Sequence, residues 1–329
     1  MKAFLRRFKK SVAAAGRWQR IEDAIRDCLL ELGHEVVEQE WDDGPDDLRG
    51  AALRIHPHAT RREKPDGSLF FKEMHLPGLF TVDSFGWGVE HSRMGSRPDL
   101  SAVDPDEARE RVLALRDAFL ASGLSRLPQP DPGSVENEPP NGDFILVPLQ
   151  RPHDYVIENH SPIPLLGFLN AVADWAERRG RRVALKLHPS NLLLDPEIVE
   201  AARRRARPGG PVSLVAGNIH HLIDAAQGIF VINSSTGFES LLHGKPVATF
   251  GSCDYQWATF RADASDLDAA ARYVEGYSDA QRREAFRFVA FYHWYHAYNV
   301  SDEFLADSKR RLKDYLAATV QGAAAGIGG

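Results

Sequence analysis

Between residues 144 and 250 the chain alternates short apolar runs with stretches of helical periodicity, and few features limit a fold more tightly. FILVPL (144–149), VALKL (183–187), VSLV (212–215), GIFVI (228–232) and PVATF (246–250) have the length and apolar content of buried strands. Helical spacing runs between them over 163–179, 195–206, 219–226 and 236–243. Buried strands separated by helices of about ten residues predict a parallel sheet covered on both faces, an α/β fold.

The flanks are less regular. Trp18, Ile21, Ile25, Cys28, Leu29 and Leu32 mark an amphipathic helix closed by Gly33, followed by strand-like runs at 34–41, 51–55 and 79–83. Residues 105–122 read as a helix with Asp104 as its N-cap. The stretch 125–143 holds five prolines and two glycines, which predicts a domain boundary there. At 329 residues two domains are expected. They are placed at 1–130 and 144–278, with two helices over 279–318 and a flexible, Gly/Ala-rich tail over 319–329.

Hydrophobic residues at 43% and charged residues at 26% suit a globular protein, and a net charge of -6 argues against nucleic acid as a partner. Cys28 and Cys253 form no C-x-x-C pattern, and no apolar run approaches the roughly 20 residues that span a bilayer. With no secretory signal at the amino terminus, a cytoplasmic location is expected. Residues 1–20 carry seven basic residues and no acid, with Phe4, Leu5, Phe8 and Val12 at helical spacing. They predict either a basic amphipathic helix that contacts the cytoplasmic face of the inner membrane peripherally, or a solvated first helix or frayed terminus.

In open α/β sheets ligands lie beyond the carboxyl ends of the strands. There the sequence places Gln150 and Asp154, then Lys186, His188 and Pro189, then Asn233, Ser234, Ser235, Thr236 and Gly237. The last group opens a helix directly after a strand, a natural phosphate cradle. His188 can donate a hydrogen bond to a phosphate, and Lys186 lies on the same strand face. Glu239 has two readings: the acid of a Thr236-x-x-Glu239 capping box, or a ligand for ribose hydroxyls.

Other motifs point nowhere. The chain has no G-x-x-x-x-G-K-[ST] and no G-x-S-x-G, and Phe85-Gly86-Trp87-Gly88 lacks the third glycine of a dinucleotide fingerprint. Asp104-Pro105-Asp106 reads as a helix cap, and His56/His58, His220/His221 and His293/His296 lack metal-site spacing, so no metal is expected.

Three segments carry a family likeness: Val147-Pro148-Leu149-Gln150 with Asp154, Leu185-Lys186-Leu187-His188-Pro189, and Val231 to Leu241 with Gly244-Lys245-Pro246-Val247. Through them the chain resembles the capsule polysaccharide biosynthesis family, which includes β-Kdo glycosyltransferases using CMP-Kdo. The resemblance implies a GT-B-like fold of two Rossmann-type lobes, the last helices crossing back to an acceptor-side first lobe. It implies metal-independent transfer of Kdo, or a related acid sugar, to a glycan or glycolipid acceptor with retention. No cofactor is implied, the CMP-sugar being the donor substrate. Asp154 matches the family's nucleophile, and Glu90, after the 79–83 strand, is the candidate acid/base, with Asp83 or His91 as alternatives. His188 and Ser234–Thr236 would stabilise the departing CMP phosphate. Another sugar-nucleotide enzyme (a UDP- or GDP-sugar transferase or an epimerase) and a non-catalytic assembly partner are the rival readings.

Overall fold

The computed structural model describes residues 1–8, 15–41, 43, 46, 50–64, 67–131, 135–137, 140 and 142–326. The chain divides into two units: Met1–Ser96 with Tyr292–Gly329, and Arg97–Phe291.

Unit 1 opens with β1 (Lys2–Arg7), α1 (Ala15–Glu31), β2 (Glu35–Glu40), β3 (Ala51–Pro57), β4 (Leu69–Glu73) and β5 (Leu79–Asp83). β1 lies between β2 and β3 and runs parallel to both. This overturns the basic amphipathic helix expected at the amino terminus, on which the expected membrane contact was argued. A central strand must be apolar on both faces, and Ala3, Phe4 and Leu5 are fully buried. The flanking cations turn inward too. Arg6 donates to the Trp41 carbonyl at 2.9 Å, and Arg7 pairs with Glu22 at 3.2 Å and Glu38 at 3.8 Å. Val12 lies outside the described residues. β4 was not anticipated; its LFFKE run is short and shows no clean alternation.

Unit 2 begins with α2 (Pro105–Ser122), whose N-cap Asp104 accepts from the Asp106 and Glu107 amides at 3.0 and 2.9 Å. Its strands are β6 (Val135–Asn137), β7 (Ile145–Pro148), β8 (Val183–Lys186), β9 (Val212–Gly217), β10 (Gly228–Val231), β11 (Val247–Thr249) and β12 (Phe260–Arg261). Their order is β12-β11-β10-β7-β8-β9-β6, parallel throughout except for β6. Between them run α3 (Tyr155–His160), α4 (Leu165–Arg179), α5 (Asn191–Leu194), α6 (Pro196–Arg205), α7 (Ile219–Ala225) and α8 (Ser235–Leu242). α9 (Leu267–Glu275) and α10 (Asp279–Ala290) close the unit. The order steps outward from β7 to β8 and β9 on one side and through β10, β11 and β12 on the other. The topological switch point therefore lies between β7 and β10.

The boundary between units falls at Ser96/Arg97, not within 131–143. α2 belongs to unit 2 because Arg287 of α10 donates to the Val103 carbonyl at 3.1 Å, just ahead of the helix. Gln129 and Pro130 of the proline-rich stretch are likewise fastened to unit 2. Asn218 donates to the Gly123 and Pro130 carbonyls at 2.8 and 3.2 Å, and the Gln129 side chain accepts from the Ile219 amide at 3.2 Å.

The first of the two helices expected over 279–318 ends at Ala290 and gives way to a π-helical turn over Phe291–His296, and the chain changes unit there. In unit 1, β13 (Tyr298–Asn299) pairs antiparallel with β5, and α11 (Leu305–Gly326) shares a core with α1 through Leu312 and Leu316. α11 runs past residue 319, where a flexible tail was expected; alanine's high helix propensity extends it. Residues 327–329 lie outside the described residues. Among the described residues no helix is long and apolar enough to cross a membrane.

Candidate active site

The carboxyl ends of β7, β8 and β10 hold most of the residues singled out from sequence. Gln150 and Asn233 face each other across the switch point: Gln150 Nε2 donates to Asn233 Oδ1 at 3.0 Å, and Gln150 Oε1 accepts from the Asn233 amide at 3.3 Å. Asn233 Nδ2 is also engaged, by the Val156 carbonyl at 2.7 Å. This pair thus spends its hydrogen-bonding capacity on bracing the two strand ends.

Asp154 caps α3, but its carboxylate is only 3.5 Å from the Val156 amide, the outer limit of a hydrogen bond. The carboxylate is partly solvent-exposed and acts on His188 electrostatically, in favour of the charged imidazole.

His188 lies two residues beyond β8. Its amide donates to Asn191 Oδ1 at 2.7 Å, and its Nδ1 accepts from the Ser190 amide at 3.1 Å. An accepting Nδ1 carries no proton, so the neutral ring bears its hydrogen on Nε2. Burial depresses this histidine to about 4; Asp154 opposes the shift while Arg126, Lys186 and Arg151 add to it. His188 is therefore a neutral donor near pH 7, not a cation.

Lys186 is half-buried on β8, and its side chain forms no hydrogen bond or ion pair among the described residues. Burial lowers its pKa, and the Glu239 carboxylate pulls it back up. An unpaired, partly desolvated ammonium is a costly group to leave beside a strand end, and an anion there relieves the cost.

Ser234, not Thr236, is the N-cap of α8, its Oγ accepting from the Thr236 amide at 3.3 Å. The capping-box reading of Glu239 therefore fails. Its carboxylate instead accepts from Ser125 Oγ at 2.6 Å and lies 3.8 Å from His220 Nε2. Gly237 is required by packing: a Cβ there would come within 2.5 Å of the hydroxyl of fully buried Tyr255, which donates to the Ser234 carbonyl. Ser235 and Thr236 sit partly exposed in the opening turn of α8, and Pro189 is exposed after His188.

Sequence reasoning passed over Asn191. It is fully buried, receives the His188 amide, and donates to the Gln150 carbonyl at 3.1 Å and to Asp195 at 2.9 Å. Its signal was present: an Asn three residues after His188 can reach back to the His188 amide, as the third-residue side chain of a capping box does.

Glu90, in unit 1, pairs with Arg62 at 3.3 Å and keeps only about a tenth of its side chain exposed (11%). Of its alternatives, Asp83 is fully engaged in its own loop. It accepts from the Phe85 and Ser92 amides at 2.8 and 3.0 Å and from the Ser92 hydroxyl at 2.5 Å. His91 Nδ1 lies 3.5 Å from Asp83. Among the described residues no three His, Cys, Asp or Glu side chains lie close enough to hold a metal.

The model of the family described as "Capsule polysaccharide biosynthesis protein" matches residues 130–300, more than half of the chain. The chain belongs to the capsule polysaccharide biosynthesis family. Among solved structures it is similar to two Thermosulfurimonas dismutans KpsC proteins. With the beta Kdo 2,7 transferase the TM-score is 0.54 at 14% identity, covering 96% of this chain and 99% of that one. With the beta Kdo 2,4 transferase it is 0.53 at 16% identity, covering 94% and 98%. The fold is thus GT-B-like, with two mostly parallel sheets. Protein FixF of Sinorhizobium fredii is 30% identical over 159 residues, 46% of this chain. The match spans only 38% of that relative's length.

Proposed function

We propose that this protein transfers Kdo, or a related acid sugar, from a CMP-sugar to a glycan or glycolipid acceptor with retention of configuration. The observation that carries this reading is the meeting, at the strand ends beside the switch point, of a solvent-reaching carboxylate, a neutral imidazole donor and an unpaired ammonium. Family membership supports the same assignment.

In this reading an Asp154 oxygen attacks the anomeric carbon while the bond to the CMP phosphate breaks, the electron pair leaving on a phosphate oxygen. His188 Nε2–H and the Lys186 ammonium stabilise the departing charge, assisted by the positive end of the α8 dipole over Ser234–Thr236. The acceptor hydroxyl, deprotonated by Glu90, then displaces Asp154 from the same carbon. Two inversions give retention. Glu239 is assigned to the ribose hydroxyls, with Ser125 orienting it. Gln150, Asn233 and Asn191 hold the strand ends in register. We place the reaction in the cytoplasm, whose reducing environment suits two buried, unpaired cysteines.

Isothermal titration with CMP, UDP and GDP in metal-free buffer tests the donor. Selective binding of CMP is expected; preference for UDP or GDP, or no binding of any of them, overturns the reading.

A further inference from the structure

Lys186 and His188 answer the donor's phosphate, which leaves Arg151, a further cation at the same strand ends, without a task. Arg151 and Asp154 are the first and last residues of one turn. The Asp154 amide donates to the Arg151 carbonyl at 3.3 Å, and Pro152 takes the second position, where its fixed φ favours such a turn. The Cα atoms at the two ends of a β-turn lie within about 7 Å. A guanidinium and a carboxylate at that separation ordinarily pair, yet these two form no ion pair among the described residues.

Arg151 is drawn the other way. Its Nε lies 3.5 Å from Asp195 Oδ2, on a carboxylate side chain only 3% exposed. Asp195 is itself fixed: it accepts from Asn191 Nδ2 at 2.9 Å, and Asn191 is tied to the His188 amide and the Gln150 carbonyl. The hold on Arg151 is partial. Nε is buried and forms no hydrogen bond at that distance, and the terminal nitrogens have no partner among the described residues. Asp195 thus grips one edge of the guanidinium, while its outer fork, on a side chain 41% exposed, stays open. A planar fork of this kind binds a carboxylate through two parallel hydrogen bonds, which an ammonium cannot do.

The chemistry proposed above needs such a group, and the inference rests on that reading. In Kdo and related acid sugars the anomeric carbon bears a carboxylate as well as the bond to CMP. Attack by Asp154 therefore brings two carboxylates together at one carbon, and their repulsion opposes the step unless a cation lies beside them. Arg151 has the position, on the nucleophile's own turn, and is not consumed by the nucleophile. Its charge also opposes protonation of His188, so it reaches the site where the bonds change.

We infer that Arg151 binds the carboxylate on the donor's anomeric carbon and so makes the protein selective for acid sugars, with Asp195 as the positioning residue that holds it clear of Asp154.

Initial rates of CMP release are measured on CMP-Kdo and on its C1 carboxamide, which keeps the shape and loses the charge. The full-length parent is compared with Arg151→Met, Arg151→Lys and, as a control of equal charge change, Arg203→Met in the last turn of α6. In Arg151→Met, kcat/KM on CMP-Kdo should fall at least about tenfold and on the amide less than about threefold, erasing the preference for the acid. Arg151→Lys, which keeps a charge but not the fork, should fall between, and Arg203→Met should match the parent. The dissociation constant for CMP should change less than about threefold throughout, which shows that the variants are folded. If Arg151→Met does not bind CMP, Arg151→Lys decides: a reduced acid preference with CMP affinity kept supports the proposal, and an unreduced one overturns it. Equal losses on acid and amide in Arg151→Met, with CMP still bound, would mark a structural role and overturn it too. A parent that releases no CMP from CMP-Kdo overturns the transfer reading along with this inference, whereas an active parent with an unaltered Arg151→Met overturns the inference alone.

Discussion

Arg7 and Lys186 occupy equivalent places, each the last residue of a parallel strand, one in each unit. Unit 1 pairs its cation with Glu22 and Glu38. Unit 2 leaves its cation with only the longer-range pull of Glu239. The difference separates a charge that belongs to the fold from one held for a ligand. Partnered, a buried charge is tolerated by the fold; unpartnered, it costs stability until something binds.

The largest effect is expected where unit 2 meets its substrate. Asp154→Asn preserves the cap of α3, because an amide oxygen still accepts from the Val156 amide, but removes the nucleophile. Release of CMP from CMP-Kdo should fall by at least about 10³-fold, with CMP affinity changed less than about threefold. Turnover near the parent rate would show that Asp154 is only a cap.

Next comes the matched pair of strand-end cations. Arg7→Met leaves the buried Glu22 carboxylate without its ion-pair partner, with only the Phe8 amide still donating to it, and should destabilise the protein by about 1–3 kcal/mol in urea unfolding. Lys186→Met should leave stability unchanged or raise it, while weakening CMP binding by about 1.5–3 kcal/mol, the range for a bond to a charged group. If Lys186→Met costs stability and spares CMP, the contrast between the two units collapses.

The same contrast explains what could be read from the sequence. The five strands of the 144–250 series and the four longer helices between them were legible to within a few residues, because each apolar run forms one buried strand and the polar residues after it fall on one edge; the short α3 and α5 were not anticipated. His188, Asp154 and Lys186 were visible for that reason. In unit 1, KAFLRR carries its apolar residues between cations, and helical and strand spacing cannot be told apart over six residues. Only its central place between β2 and β3 decides the matter. The proline-rich stretch misled because composition reports what cannot be helix, not what a segment hydrogen-bonds to. Glu239 was ambiguous since capping depends on which hydroxyl residue takes the N-cap, and Ser234 takes it two residues earlier than the box requires.

The smallest expected effect compares the units through their histidines. In unit 2, burial pushes His188 and His220 down to about 4 and His243 to about 3. In unit 1 it pushes His56 and His293 to about 4. Each of these side chains takes up a proton near pH 6.5 when unfolded but stays neutral when folded, so the unfolded state binds more protons between roughly pH 6.5 and 4. Stability is therefore complete above pH 6.5 and declines as the pH falls through that window. Unit 1 has an opposing group: burial raises the Glu22 carboxyl, so its folded form takes up a proton at higher pH than its unfolded form and stabilises on acidification. Unit 2 should thus soften first. Amide hydrogen exchange at pH 7 and pH 5, corrected for intrinsic rates, should show a larger loss of protection in β7, β8 and β10 than in β1 and β3. Equal losses in the two sets of strands would mean that the buried histidines of unit 2 carry no more of the acid sensitivity than those of unit 1.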